Sequence, residues 1–227
     1  MSRRNRPPRE RPADPDTVDA PWRVFLAVPL PEPVRAAVAE QVAALAAEEW
    51  PVRWVAPEGA HLTLHFLGET TRDRVELLRL GLPRVVAAHD RFDLRTANLG
   101  VFPNLKRPRV VWLGLHGPAH RLETLRADLG AAIADLDYAV EPEFRPHVTL
   151  GRVRDQGTAA MPLRNLPEAI RRRCWDPAKN DFGGPPPLPL PVREVELVRS
   201  RLSHAGARYE TIARFPLAEP GAAGTGR

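Results

Sequence analysis

Residues 61–64 read His61-Leu62-Thr63-Leu64, and residues 147–150 read His147-Val148-Thr149-Leu150, the same His-x-Thr-Leu tetrapeptide written once in each half of the chain. Each copy sits in a run of alternating apolar and polar residues, which is the period of a strand. Alternation sends His61 and Thr63 to one face and Leu62 and Leu64 to the other. It does the same for His147 and Thr149 against Val148 and Leu150. Two such strands sharing a face would supply two proton-transfer groups and two neutral hydrogen-bond donors. That set suits a phosphodiester attacked at phosphorus on one side while an ester oxygen leaves on the other.

Outward from these strings, strands and helices alternate. Trp22–Val28 reads as a strand that Pro29 and Pro31 terminate. Val34, Val38, Val42 and Leu45 give a helical spacing from Glu32 to about Trp50. Short strands follow at Val52–Val55 and His61–Leu67, the second ended by Gly68. Thr70 or Thr71 caps a helix running to about Ala88, which Gly81 and Pro83 can bend or split. Phe92–Leu99 and Arg109–Leu115 are strand-like, and the near-continuous apolar run of the latter predicts a central strand covered on both faces. Leu122, Leu125, Leu129 and Ile133 predict a helix over 119–136. The second motif strand spans 145–153, and Glu194–Arg199 and Arg208–Phe215 form a hairpin around Ser203-His204-Ala205-Gly206. Alternation of helices with mostly antiparallel strands predicts an α+β fold of two similar lobes.

The segment 21–216 is the expected domain, interrupted by a Pro/Gly-rich insertion at about 155–190 that includes Pro185-Pro186-Pro187. A floppy insertion is the preferred reading of that segment over a cover for the groove. Residues 1–20 and 217–227 read as disordered tails, the first rich in Arg and Pro and without apolar periodicity. At 227 residues the chain is long enough to bury a real core. No apolar run approaches the roughly 18 residues that a membrane helix needs. With no apolar stretch near the N-terminus to act as a signal, a cytoplasmic protein is expected, and a monomer is the default.

Cys174 is the only cysteine, which excludes an intrachain disulfide and a four-thiolate zinc site. The net charge of +5 leans toward an anionic partner, but only Lys106 and Lys179 are lysines. The Arg excess, with abundant Ala and Pro, matches the bias of a GC-rich genome and is discounted accordingly.

In-line opening of a cyclic phosphodiester needs a base to take a proton from water and an acid to give one to the departing oxygen. An ordinary imidazole titrates near pH 6.5, so one His can be neutral while the other is charged. Thr63 and Thr149 can donate to the non-bridging phosphate oxygens, where charge grows in the transition state. Zinc is the competing use of paired histidines, and it wants a third ligand. Neither motif contains an acidic residue. His65 shares the parity of His61, which makes it either a third ligand or a rim residue. No metal and no cofactor is expected.

The pair of motifs resembles the signature of the two-histidine (2H) phosphoesterases. Arg23-Val-Phe-Leu-Ala-Val-Pro-Leu-Pro, His61-Leu-Thr-Leu-His-Phe-Leu-Gly, Arg109-Val-Val-Trp-Leu-Gly and Arg145-Pro-His-Val-Thr-Leu-Gly-Arg are similar, in order, to the bacterial RNA 2′,3′-cyclic phosphodiesterase branch, also called 2′-5′ RNA ligase. The resemblance covers about residues 22–216. It implies a bilobed α+β fold with two pseudo-symmetric lobes, outer helices and a central groove. It implies metal-independent hydrolysis of RNA or oligonucleotide 2′,3′-cyclic phosphate ends to 2′-phosphates. In that analogy His61 is the proton donor to the 3′ oxygen and His147 the proton acceptor that activates water. Thr63, Thr149 and Arg152 hold the phosphate. End joining to a 2′-5′ linkage, another cyclic phosphate, or a non-catalytic RNA-binding module are the alternatives. Strict alternation points Arg152 away from His147 unless Gly151 marks a bulge. Parity assigns Phe66 to the core, while Tyr209, on the last strand, is read as core or rim packing in preference to an approach into the groove.

Overall fold

The computed structural model describes residues 20–154, 168, 175–176, 181–182, 187–203 and 206–221. The expectations for the N-terminal tail (apart from Ala20, which is buried), for Cys174 and for most of the insertion lie outside the described residues. In chain order the elements are β1 (Trp22–Pro29), α1 (Glu32–Ala46), β2 (Val52–Trp54), a 3₁₀ turn (Pro57–Gly59), β3 (His61–Thr70), α2 (Arg72–Val86), β4 (Phe92–Phe102), β5 (Val110–His116), α3 (Ala119–Ala134) and β6 (His147–Val153). A short pair, β7 (Trp175–Asp176) and β8 (Asp181–Phe182), follows, and then β9 (Pro189–Val192), β10 (Glu194–Ser203) and β11 (Gly206–Pro216).

Among the described residues nine strands form one sheet in the order β11-β10-β1-β3-β6-β5-β4-β9, with β2 added on β6. Every strand pairing in it is antiparallel. The sheet divides into two four-strand lobes joined between β3 and β6, where a single pair, Leu62 opposite Val148, is in register. Beyond that point β3 and β6 part, and β2 takes the place beside β6.

The three helices contribute to one core. α1 lies against β2 and β6, α2 against β10 and β11, and α3 against β3 and α2. Their apolar stripes follow the predicted spacing: Leu122, Leu125, Leu129 and Ile133 of α3 are wholly buried. In β1 the continuous apolar run serves both faces. Val24, Leu26 and Val28 join the main core, whereas Phe25 and Ala27 pack with Val198 in a separate small cluster on the other face. Among the described residues no helix is long and apolar enough to cross a membrane.

Several boundaries differ from expectation. α1 stops at Ala46 rather than near Trp50 because the chain tightens there and Glu49 takes a left-handed conformation (φ 53°). Pro51 then keeps Trp50 out of the helical region. Gly68 does not end its strand. It has φ +69° and sits beside a bulge at Leu67, after which β3 runs on to Thr70. Gly81 and Pro83 leave α2 continuous. β9 is a strand that the sequence does not announce, since Pro189 and Pro191 argue against one; it lies at the sheet edge, where a missing N–H is tolerated. The start of the expected C-terminal tail is also corrected: Leu217 is buried, its N–H donates to Arg193 O, and Ala218 pairs with both His89 and Arg91, while residues 222–227 lie outside the described residues.

Candidate active site

β3 and β6 carry the two motifs through the same local structure. Over six positions the burial order is identical: half-buried His61 and His147, buried Leu62 and Val148, half-buried Thr63 and Thr149, two buried residues, then an exposed one. Both strands also bulge at the fourth motif residue. On β3, Ala27 faces Thr63 but Leu26 faces His65, which leaves Leu64 as the extra residue. On β6, Trp112 faces Thr149 but Val111 faces Gly151, which leaves Leu150 as the extra residue.

A bulge shifts the alternation by one, so residues beyond it change face. His65 therefore does not share the face of His61. It is 4% exposed, and its Nε2 donates to the Arg126 carbonyl (2.8 Å), which takes it away from any ligand set with His61 and His147. Phe66, expected in the core, is 48% exposed instead, with its ring 6.0 Å from that of Phe25. Arg152 is the counterpart of Phe66 on β6, and it too is exposed. Its charge reaches both motif imidazoles.

The antiparallel pairing about Leu62 and Val148 puts His61 across from Thr149 and Thr63 across from His147. All four groups thus border one patch of the face that Phe25 and Ala27 share, opposite the main core. Each imidazole is held in the same way, two residues back along its own chain. His61 Nδ1–H donates to Gly59 O (2.7 Å), and His147 Nδ1–H donates to Arg145 O (2.6 Å). With Nδ1 committed to a carbonyl, Nε2 is the nitrogen left for proton exchange.

Aromatic rings brace both histidines. Phe25 stacks on His61 (centroids 4.5 Å apart, planes 24°), and Tyr209 of β11 meets it edge-on at 5.1 Å. Gly59 lies close under the Tyr209 ring, and a Cβ there would stand 2.8 Å from Tyr209 Cδ2. His147 has Phe102 edge-on at 5.0 Å and Trp112 at 6.4 Å. Tyr209 is 41% exposed, so it belongs to the groove rim.

Burial is the largest influence on both imidazoles and holds each below the ordinary value of 6.5, because it penalises the charged form. The Arg152 charge lowers both further, and His147 also lowers His61. The carbonyl bonds from Gly59 and Arg145 oppose this in part.

Two hollows flank the patch. One, of about 600 Å³, runs from His61 past Tyr209, with Arg35, Glu58, Glu196 and Arg214 in its walls. The other, of about 390 Å³, lies on the Thr63 and His147 side between Phe66, Phe102, Arg126, Phe144 and Arg145. Phe25, Phe102, Trp112 and Arg145 are site residues that reading the sequence missed. Phe25, Trp112 and Arg145 stand inside the strings that resemble the family, whereas Phe102 lies outside them.

The sequence model of the 2′-5′ RNA ligase superfamily matches residues 26–203. An RNA 2′,3′-cyclic phosphodiesterase of Aeropyrum pernix is 30% identical over 172 residues, covering 75% of this chain and 89% of that one. The crystal structure of TT0787 of Thermus thermophilus superposes with a TM-score of 0.65 at 28% identity, covering 87% of this chain and 99% of that one. The crystal structure of Escherichia coli LigT complexed with 3′-AMP gives 0.64 at 27%, covering 88% and 99%.

Proposed function

This chain belongs to the 2′-5′ RNA ligase superfamily, and from that premise we propose that it hydrolyses RNA 2′,3′-cyclic phosphate ends to 2′-phosphates. The observation that carries the proposal is the symmetric hold on the two imidazoles. Each Nδ1–H is spent on a backbone carbonyl, so two Nε2 atoms border one patch with a threonine across from each. Base and acid on either side of a phosphorus are what in-line displacement requires.

In this reading the cyclic phosphate lies between the motifs. His147 Nε2 accepts a proton from the attacking water. His61 enters as the imidazolium and passes its Nε2 proton to the departing 3′ oxygen, leaving the phosphate on the 2′ oxygen. One proton is taken up and one released, so the turnover is neutral. Hydroxyls of Thr63 and Thr149 and the guanidinium of Arg152 meet the non-bridging oxygens as charge builds on them. Exposed rings at Phe66 and Tyr209 offer stacking platforms beside the phosphate, which suits an unpaired RNA end. The roles of donor and acceptor follow the family resemblance, since the two histidines are held alike.

The test is incubation of the protein, in EDTA, with a short RNA ending in a 2′,3′-cyclic phosphate, followed by mass and isomer analysis. A 2′-phosphate product is expected. A 3′-phosphate would reverse the leaving group, and strict metal dependence would refute the acid–base scheme.

A further inference from the structure

Outside both motifs, one side chain of α3 reaches backbone that serves each of them. His65, the residue after the first bulge, donates to the carbonyl of Arg126. Arg126 donates back from Nε to the carbonyl of Leu64, the bulged residue itself (3.2 Å). Its Nη2 donates to the carbonyl of Glu141, and its guanidinium lies 4.6 Å from the ring centroid of Phe144. Three residues beyond Phe144 is His147, whose Nδ1 depends on the carbonyl of Arg145. Gly130 permits the approach of helix and strand, because a Cβ there would stand 3.3 Å from both His65 Cε1 and Val140 Cγ1.

We propose that Arg126 is a positioning residue of the active site, its fork tying the bulge of the first motif to the segment that seats the second histidine. A guanidinium can do this because its donors diverge in one rigid plane, so one side chain fixes two carbonyls relative to each other. The two motif strands share only one pair in register, so little else in the sheet fixes their spacing. Arg126 also lines the hollow beside His147, and direct capture of an RNA phosphate is the competing role.

The kinetic half of the test rests on the hydrolytic reading above, and the spectroscopic half does not. Arg126→Lys keeps the charge but loses the fork, and Phe144→Leu removes the stacking partner while leaving Arg126 in place. For Arg126→Lys, kcat is expected to fall by about 10-fold or more with KM little changed, given that a misplacement of about 1 Å costs up to roughly 100-fold. For Phe144→Leu the same pattern is expected at smaller size. Imidazole titration by NMR is expected to show a shifted His147 midpoint in both variants, because the burial that lowers it and the Arg145 carbonyl bond that raises it both belong to the segment Arg126 holds. A raised KM at unchanged kcat would assign Arg126 to substrate instead. Wild-type titration curves for His147 in both variants would overturn the positioning role. If the wild type fails to turn over the RNA, the hydrolytic reading falls while the titrations still decide the role of Arg126.

Discussion

A hydrogen bond of 2.6 or 2.7 Å from Nδ1 leaves each motif imidazole one working nitrogen, and the burial around it decides when that nitrogen is charged. Both histidines titrate below 6.5, burial being the main cause and Arg152 adding to it. In the proposed scheme the free enzyme acts with one protonated and one neutral imidazole, so kcat/KM should follow a bell whose maximum lies on the acid side of about 6.5. An anionic phosphate between the rings stabilises the imidazolium, so the limbs of kcat should sit at higher pH than those of kcat/KM. A kcat/KM maximum well above the ordinary imidazole value would mean that another group supplies the proton. Removing either group should be severe: His61→Ala and His147→Ala are each expected to cost about 10²–10⁴ in kcat. The proposed scheme makes the pair act as one unit, so the double variant should lose little more than the worse single one. Single-turnover assays of the three variants check this, and a strictly multiplicative loss would argue against concerted roles.

Between residue and molecule, the bulges are the elements that make the site. Leu64 and Leu150 turn Phe66 and Arg152 to the working face, and nothing in plain alternation announces them. Gly68 and Gly151 are the only hints in these strands, and Gly68 misleads if read as a strand end. The motif residues were legible because the chain writes them twice, each with its own half-buried strand. Helix positions were legible because leucines recur at three and four residues in α3. Phe25, Phe102, Trp112 and Tyr209 reach the histidines through pairings between strands distant in sequence, and register is not written locally. β9 was hidden by its prolines, whose cost vanishes at an edge. Close packing across strands gives a further expectation. A Cβ at Gly100 would stand 2.2 Å from Trp112 Cζ2, and Trp112 has Phe102 at 5.0 Å on one side and His147 beyond. Gly100→Ala should therefore displace Trp112 from its place beside Phe102 and His147, destabilise the fold by about 1–3 kcal/mol and lower kcat. Urea melts beside kinetics test this; loss of stability with full activity would separate Trp112 from the site.

For the molecule as a whole, burial of neutral histidines has a thermodynamic consequence. His61, His65 and His147 are all held below 6.5, burial being the largest cause each time, while the unfolded chain restores the ordinary value. Between the folded and unfolded values the unfolded state binds more protons, so stability rises with pH across that window. It is fully present above about 6.5 and drains away as pH falls below it, levelling only under the folded values. The melting temperature should therefore drop between roughly pH 7 and pH 5, before most carboxylates titrate. The three histidines should respond differently to an anion. His61 and His147 keep Nε2 toward the hollows, whereas His65, although it also lines the hollow beside His147, spends its Nε2 on the Arg126 carbonyl. Inorganic phosphate bound between the motifs would stabilise their charged forms and recover part of the acid loss. His65→Gln keeps a donor for the Arg126 carbonyl but does not titrate, so it should flatten the remaining slope. Melting curves from about pH 8 to pH 5, with and without phosphate, separate the two contributions. A slope that phosphate leaves untouched would mean that the acid sensitivity comes from outside the groove.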